Sequence, residues 1–346
     1  MKKLKVCVVG AGQIGSVHIA KIFESNKFEM HSIISPSIEA CAAGLCKDVM
    51  HFKNLSDSKS YPAPDCAIIS SPNETHMEYI KYFAGSRIPI LIEKPIVSSA
   101  SEAAYLRTFL KNFDATILVG HQRRFCNIVR QVKTMLDKSI FGNINVVSCQ
   151  SLYAKPKSYY SDKSWRVKES AGPLWVNAVH DIDLIRFLFG EFKTVTALGI
   201  KNRRDTFFHN SISVSFLLQN DIAGTLLVSD VSSSINSWEN ASCSALGLPT
   251  YRESAYLHFA GDHGCMTLPG KSYYINSNSN WTKKLDKKVK KTRTMNDYDT
   301  QLDHFHDVVR HNVQPVNTYQ SALSNCFVVG SILKSMNTLR PVIVDH

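Results

Sequence analysis

No run of apolar residues in this 346-residue chain approaches the ~20 needed to cross a bilayer, which argues against a membrane-spanning protein. Met1-Lys2-Lys3 ahead of Leu4 to Val9 has the charge order of a secretory signal. The apolar run stops at Gly10, short of the usual ~7–15 residues, and no cleavage site follows, so it reads as a first strand. The nine cysteines include no C-x-x-C pair, Cys41 and Cys46 being the closest two, and no cysteine–histidine cluster has zinc spacing. Reduced thiols of a cytoplasmic protein, with neither disulfide nor metal, are expected. Internal repeats are absent. Acid is the scarcer charge, 29 residues against 40 Lys and Arg, for a net charge of +11. Part of the excess is local: Lys283, Lys284, Lys287, Lys288, Lys290, Lys291 and Arg293 face one acid, Asp286. Without an aromatic platform or a nucleic-acid motif, the run reads as a solvated loop or hairpin, and no nucleic-acid partner is expected.

What is present is ordinary globular composition, 44% hydrophobic and 20% charged, at a length that suits two domains. The most informative stretch is Leu4 to Val9 followed by Gly10-Ala11-Gly12-Gln13-Ile14-Gly15 and a helical pattern to Glu24. Strand, G-x-G-x-x-G turn and helix form the context in which this motif cradles a dinucleotide. The first glycine allows the turn, the second lets the backbone approach a pyrophosphate, and the third lets helix and strand pack closely. The helix N-terminus offers N–H groups and partial positive charge.

Strand and helix patterns then alternate. Strands are expected at Phe28 to Ile34, Cys66 to Ser70, Ile90 to Ile92 and Thr116 to Val119, and helices at Ser37 to Leu45, Glu74 to Ala84 and Ser101 to Asn112. That alternation predicts a parallel sheet covered by helices. Beyond a helix at Asn127 to Leu136 the texture changes. Strands are expected at Val146 to Tyr153, Val195 to Ile200, Ser211 to Leu218, Ala223 to Ser229 and Tyr256 to Ala260, interrupted by one strong helix from Leu174 to Phe189. Helices from Gln301 to Arg310 and Ser321 to Met336, and a strand at Pro341 to Val344, close the chain. The expected fold class is α/β plus α+β: a Rossmann dinucleotide-binding domain over 1–121, then a mostly antiparallel substrate domain over 122–346.

Ligands of open parallel sheets bind beyond the carboxyl ends of the strands. Gly10 to Gly15, Ser70 to Asn73, Glu93-Lys94-Pro95 and Gly120-His121 all lie at such ends and define one crevice. An acid normally ends the second strand and holds the ribose 2′-hydroxyl of NAD. Ser35 stands there instead, and the next cation is Lys47. NAD and NADP both remain open, with a slight lean to NADP or dual use because a serine can hydrogen-bond a phosphate.

Taken together, Gly10 to Gly15 with His18, Ser71-Pro72-Asn73 with His76, Glu93-Lys94-Pro95, His121-Gln122-Arg123-Arg124-Phe125 and Asn177-Ala178-Val179-His180-Asp181-Ile182-Asp183 resemble the glucose–fructose oxidoreductase, inositol dehydrogenase and rhizopine-catabolism (Gfo/Idh/MocA) group. The resemblance extends over essentially the whole chain. It implies an NAD(P)-dependent dehydrogenase moving hydride to or from a hydroxyl-bearing carbon of a sugar, cyclitol or polyhydroxy acid. It also implies a homodimer or homotetramer formed through the open face of the second sheet. Cofactor contacts would be Gly10, Gly12, Gln13, Ile14, Gly15, Ser35, Ser71, Pro72, Asn73, His76, Glu93, Lys94 and Gln122. His18 and His76 would shape that pocket rather than react.

Lys94 and His180 are the expected catalytic pair. A lysine at a strand end can hydrogen-bond the reacting oxygen and stabilise alkoxide charge. A histidine trades a proton near neutrality. Many relatives carry an aspartate four residues before the histidine, one helical turn back, whereas this chain has Val176. Asn177 is the nearest polar substitute for orienting the ring. Lys94, Arg123, Tyr153, Lys155, Trp165, Arg166, Asn177 and His180 are the candidate substrate contacts, and several cations suit a carboxylate. Two other readings stay open: an inactive cofactor-binding sensor of the same fold, and a redox-neutral NAD-dependent glycosidase.

Overall fold

A computed structural model of the chain describes all residues except 1, 39–43, 161–164, 202–205, 243–248, 252, 277–278, 292–295 and 346. Two compact units emerge: Met1–Phe125 with Asp297–Cys326, and Cys126–Asn296 with Phe327–His346. This differs from the expected single division at 121/122. The chain leaves the first unit after Phe125, returns to it at Asp297 and leaves again inside its last long helix. Helical periodicity shows which face of a late helix is apolar, not which core that face joins.

In the first unit, the described strands are β1 (Leu4–Val9), β2 (Phe28–Ile34), β3 (Met50–Phe52), β4 (Cys66–Ile69), β5 (Ile90–Ile92) and β6 (Ile117–Val119). They form one parallel sheet in the order β3-β2-β1-β4-β5-β6, the doubly wound arrangement. Strands covered on both faces read as continuous apolar runs. Cys66 to Ile69 and Ile90 to Ile92 are accordingly all buried. The helices are α1 (Gln13–Glu24), α2 (Leu55–Ser58), α3 (His76–Gly85) and α4 (Ala100–Leu110). Ser99 caps α4 by accepting the Glu102 N–H, while the Glu102 carboxylate accepts the Ser98 N–H, a reciprocal box one residue out of the usual frame. The helix expected from Ser37 to Leu45 falls largely on 39–43, outside the described residues.

In the second unit, α5 (Asn127–Asp137) leads into β7 (Ile144–Leu152), and α6 (Val179–Phe189) precedes β8 (Phe192–Ile200), β9 (Ser211–Leu218) and β10 (Ala223–Ser229). The short α7 (Trp238–Ser242) is followed by β11 (Leu257–Gly261), β12 (Gly264–Leu268), β13 (Ser272–Ile275) and β14 (Asp286–Val289). The chain then re-enters the first unit as α8 (Asp297–His311), where Leu302 and Phe305 join Ile19, Ile22 and Phe28 in the core. The long α9 (Tyr319–Thr338) and β15 (Val342–Ile343) follow.

Sheet order in the second unit is β14-β13-β12-β11-β7-β10-β9-β8-β15, antiparallel except between β7 and β10. Its strands alternate: Ile212, Val214, Phe216 and Leu218 are buried while Ser213 and Ser215 face out. One face is therefore packed and the other open. The basic run builds β14, an edge strand with every residue exposed. Lysines there discourage pairing with another edge. Arg293 of that run lies outside the described residues.

Two chemical expectations meet the structure here. Cys46 is disulfide-bonded, so the expectation of no disulfide fails. C-x-x-C spacing is one route by which thiols meet, not a requirement. Cys7, Cys66, Cys126, Cys149, Cys265 and Cys326 are thiols. Burial pushes the Cys7 thiol up to about 11. Among the described residues no helix is long and apolar enough to cross a membrane.

Candidate active site

The glycine turn needs its glycines for three different reasons. Gly10 has φ +86°, and a Cβ there would come within 2.7 Å of the Ser71 backbone. A Cβ on Gly15 would lie 2.0 Å from the Gly10 carbonyl oxygen. A Cβ on Gly12 would meet nothing within 4 Å, so space is open above the turn. Gly12 is also the N-cap of α1 and supplies no side-chain acceptor to its first N–H groups. Open space over unserved amides at a helix N-terminus fits a pyrophosphate. Gln13 and Ile14 occupy that first turn. Ser70 braces the turn from below, its hydroxyl lying 3.0 Å from both the Val9 and Gly10 carbonyls.

Ser35 is placed differently from expectation. Its hydroxyl donates to the Ser37 carbonyl at 2.6 Å and accepts the Ala11 N–H at 3.3 Å, and the residue is buried. Holding the phosphate of NADP needs a serine with a hydroxyl to spare. Here the hydroxyl closes the end of β2 against the glycine turn.

At the end of β5, Lys94 is half-buried and the Lys94–Pro95 peptide is cis. Glu93 points inward, within 2.8 Å of His18 Nε2. A Cβ on Gly120 would approach Glu93 Oε1 to 3.1 Å, so the residue after β6 leaves room for that carboxylate. Burial alone raises the Glu93 pKa. The His18 hydrogen bond and charge, the Lys94 charge and the Lys94 N–H outweigh it and hold the carboxyl below its ordinary value. His76 is fully buried, with Nδ1 at 2.9 Å from the Pro95 carbonyl and Nε2 at 2.9 Å from the Ser71 carbonyl. Glu93 and His76, expected as cofactor contacts, thus spend their polar atoms on the protein. Ser71 Oγ pairs with Thr75 Oγ1 at 2.7 Å; Asn73 and Gln122 are half-buried, and Pro72 is exposed.

After β6, Arg124 donates to the Val316 carbonyl and to Ser321 Oγ at 3.1 and 2.9 Å. Asn317 donates to the His121 carbonyl at 3.0 Å, and the Asn325 amide lies 3.1 Å from His121 Nε2. Arg123 is buried. Sequence reasoning missed Asn317 and Asn325 because they arrive about 200 residues later in the chain.

The second unit holds the remaining candidates. The turn before α6, Leu174–Ala178, is π-helical, with the Val179 N–H reaching the Leu174 carbonyl. Such wide turns recur at functional sites. Asn177 sits in it, and its Oδ1 is buried with no partner among the described residues, so that atom does not orient the His180 ring. His180 and Asp181 are buried in the first turn of α6, and the Tyr256 hydroxyl donates to Asp181 Oδ1 at 2.6 Å. The Tyr153 hydroxyl donates to the Glu239 carboxylate. Lys155 Nζ and the Arg166 guanidinium lie 4.8 and 5.1 Å from the Tyr159 ring centre, which gathers two predicted cations around one aromatic. Tyr159, Tyr256 and Glu239 carried no recognisable sequence pattern. The Trp165 side chain lies outside the described residues.

Comparison with known proteins agrees with this architecture. Residues 4–121 match the oxidoreductase family with an NAD-binding Rossmann fold, and residues 129–241 match the GFO/IDH/MocA C-terminal domain. The chain belongs to the GFO/IDH/MocA oxidoreductase family. It is 26% identical over 196 residues to the rhizopine catabolism protein MocA of Rhizobium meliloti, covering 56% of this chain and 60% of that protein. It is 28% identical over 196 residues to an inositol 2-dehydrogenase of Rhodococcus jostii, covering 54% and 50%. The match therefore spans 50–60% of the length of these curated relatives. The WlbA dehydrogenase of Bordetella pertussis, solved with NADH and UDP-GlcNAcA, shares the fold at TM-score 0.78 and 18% identity, covering 100% of both chains. A myo-inositol dehydrogenase of Corynebacterium glutamicum does so at TM-score 0.74 and 19% identity, again over 100% of both.

Proposed function

We propose that this protein is an NAD-dependent dehydrogenase acting on a hydroxyl-bearing carbon of a sugar, cyclitol or polyhydroxy acid. The observation that carries the reading is a glycine turn open above Gly12 in the same unit as the Lys94 turn. Gly10, Gly12, Gln13, Ile14 and Gly15 would hold the pyrophosphate, with the Ser71-Pro72-Asn73 loop and Gln122 completing the seat. Nicotinamide, when bound, supplies the hydride acceptor or donor. Lys94 hydrogen-bonds the reacting oxygen and stabilises the charge that develops on it. His180 takes or returns the hydroxyl proton. Lys155 and Arg166, gathered around Tyr159, suit a carboxylate on the substrate. The choice of NAD rests on Ser35, whose hydroxyl is used internally, and on the family's NAD-binding first domain.

A homodimer or homotetramer joined through the open sheet face is part of the reading. Val146, Leu198, Ile200 and Leu227 stand exposed on that face. We assign the protein to the cytoplasm on the thiols of Cys7, Cys66, Cys126, Cys149, Cys265 and Cys326, against which the Cys46 disulfide stands as the exception.

The test follows nicotinamide absorbance with cyclitols, aldoses and sugar acids, offering NAD and NADP separately. Turnover with NAD that is abolished in Lys94→Ala, with dinucleotide binding retained, is expected. Full turnover in Lys94→Ala removes Lys94 from its role. Dinucleotide binding without turnover on any substrate supports the sensor reading instead. Release of an aglycone with no net absorbance change supports the redox-neutral glycosidase.

A further inference from the structure

Lys94 sits on a turn between two peptide bonds, and nothing in β5 by itself determines how far that turn stands from the glycine turn. The described contacts supply the missing link. Gly10 packs against the Ser71 backbone closely enough that a Cβ would sit 2.7 Å away. The Ser71 carbonyl lies 2.9 Å from His76 Nε2, and the Pro95 carbonyl lies 2.9 Å from Nδ1 of the same ring. Pro95 is the residue after Lys94. A continuous chain of contacts therefore runs from Gly10 through Ser71, the His76 ring and Pro95 to Lys94, all within the first unit.

We propose that His76 is a positioning residue that sets the place of the Lys94 ammonium relative to the dinucleotide seat by standing between the Ser71 and Pro95 carbonyls and donating its N–H to one of them. The inference rests on the reading of Lys94 as the group that meets the reacting oxygen. By sequence alone, His76 only shapes the cofactor pocket. A neutral imidazole, the form that burial favours, carries one N–H, so one of the two carbonyls accepts from it while the ring fills the space against the other. An apolar ring of the same size would fill the volume, leaving one buried carbonyl without its donor. The His76 contact ties two loops that belong to non-consecutive steps of the chain, β4 to α3 and β5 to α4. Its anchor is stiff: His76 is the first residue of α3, and Ser71 is tied a second time through Thr75 Oγ1. The glycine turn has independent support from Ser70, so loss of the His76 contact displaces the Lys94 turn while the glycine turn that seats the pyrophosphate stays formed.

The test compares His76→Phe, which keeps a ring and removes the N–H donor, with His76→Gln, which keeps an N–H donor. Two readouts are used. The first is the rate of reductive methylation of Lys94 in the cofactor-free protein, read by mass spectrometry against Lys133, a half-buried lysine of α5 paired with Asp137. The second is steady-state kinetics together with the dinucleotide Kd. In His76→Phe the Lys94 labelling rate changes while that of Lys133 does not, kcat falls about 10–100-fold, and the dinucleotide Kd moves little, because a displacement of ~1 Å suffices for such a loss. His76→Gln recovers part of kcat. Parent labelling and parent kcat in both variants overturn the proposal, as does a loss confined to Kd. If His76→Phe fails to fold, His76→Gln decides by the same readouts. If Lys94→Ala retains full kcat, the functional reading fails, and the labelling rate still tests the His76 contact.

Discussion

Gly12 and Gly15 are three residues apart and respond to the same methyl group in opposite ways. Gly15→Ala drives a Cβ against the Gly10 carbonyl, where backbone has nowhere to retreat, so stability falls by about 1–3 kcal/mol, the usual range for overpacking. Urea unfolding of the variant measures it. Gly12→Ala has open space around it and leaves the urea midpoint unchanged. It places a methyl where the pyrophosphate would approach, so NAD affinity drops at constant stability, read by calorimetry. Equal loss of stability in both variants would contradict this division of roles. Glu93 makes the residue-scale prediction for pH. Its carboxyl is held below its ordinary value in the folded chain, so its contribution is complete above about pH 4.3, the unfolded carboxylate value. That contribution is lost as pH falls through the lower folded value. Glu93→Gln therefore flattens the acid limb of the stability curve, which parallel urea titrations from pH 6 downward would show.

At the scale of elements, β14 and the turn before α6 show what a pattern in sequence does and does not reveal. The lysine run was visible as charge, but its use was not: the register with β13 places Lys287 and Lys288 on the last strand of the sheet. Replacing both with valine leaves one long edge with β-branched residues and no charge to guard it. Static light scattering on warming is expected to show earlier association at an unchanged unfolding midpoint. The segment from Leu174 to Phe189 reads as one helix because its apolar spacing is helical throughout. The π turn changes the hydrogen bonding and not the composition, so it left no mark on the pattern. Spacing-based arguments about Val176 and Asn177 relative to His180 inherit that shift in phase. The parallel strands of the first unit were legible for the converse reason. Each is a short apolar run closed by a glycine or polar residue at its carboxyl end. Three-residue β3 and the hairpin strands after β11 were too short or too polar to stand out.

For the whole molecule, the two units have separate cores, and all four tryptophans, Trp165, Trp175, Trp238 and Trp281, lie in the second. Tryptophan fluorescence therefore follows one unit and far-ultraviolet circular dichroism follows both. NAD at about 100 times its Kd stabilises the unit that binds it by about 2.7 kcal/mol. The dichroism curve is expected to shift upward more than the fluorescence curve. Equal shifts would mean that the chain unfolds as one cooperative body. Several things followed from the order of residues alone: the strand–glycine–helix opening, the parallel alternation, the change to amphipathic strands, and Lys94 and His180 as residues with chemistry to offer. These are local properties, written in side-chain period and in the backbone freedom of glycine. The return of α8 to the first core, the inward use of Ser35, Glu93 and His76, and the clustering of Lys155 and Arg166 at Tyr159 were decided by tertiary structure. Each depends on a partner distant in the chain or on which way a polar side chain turns, and burial selects that partner only once the sheets have formed.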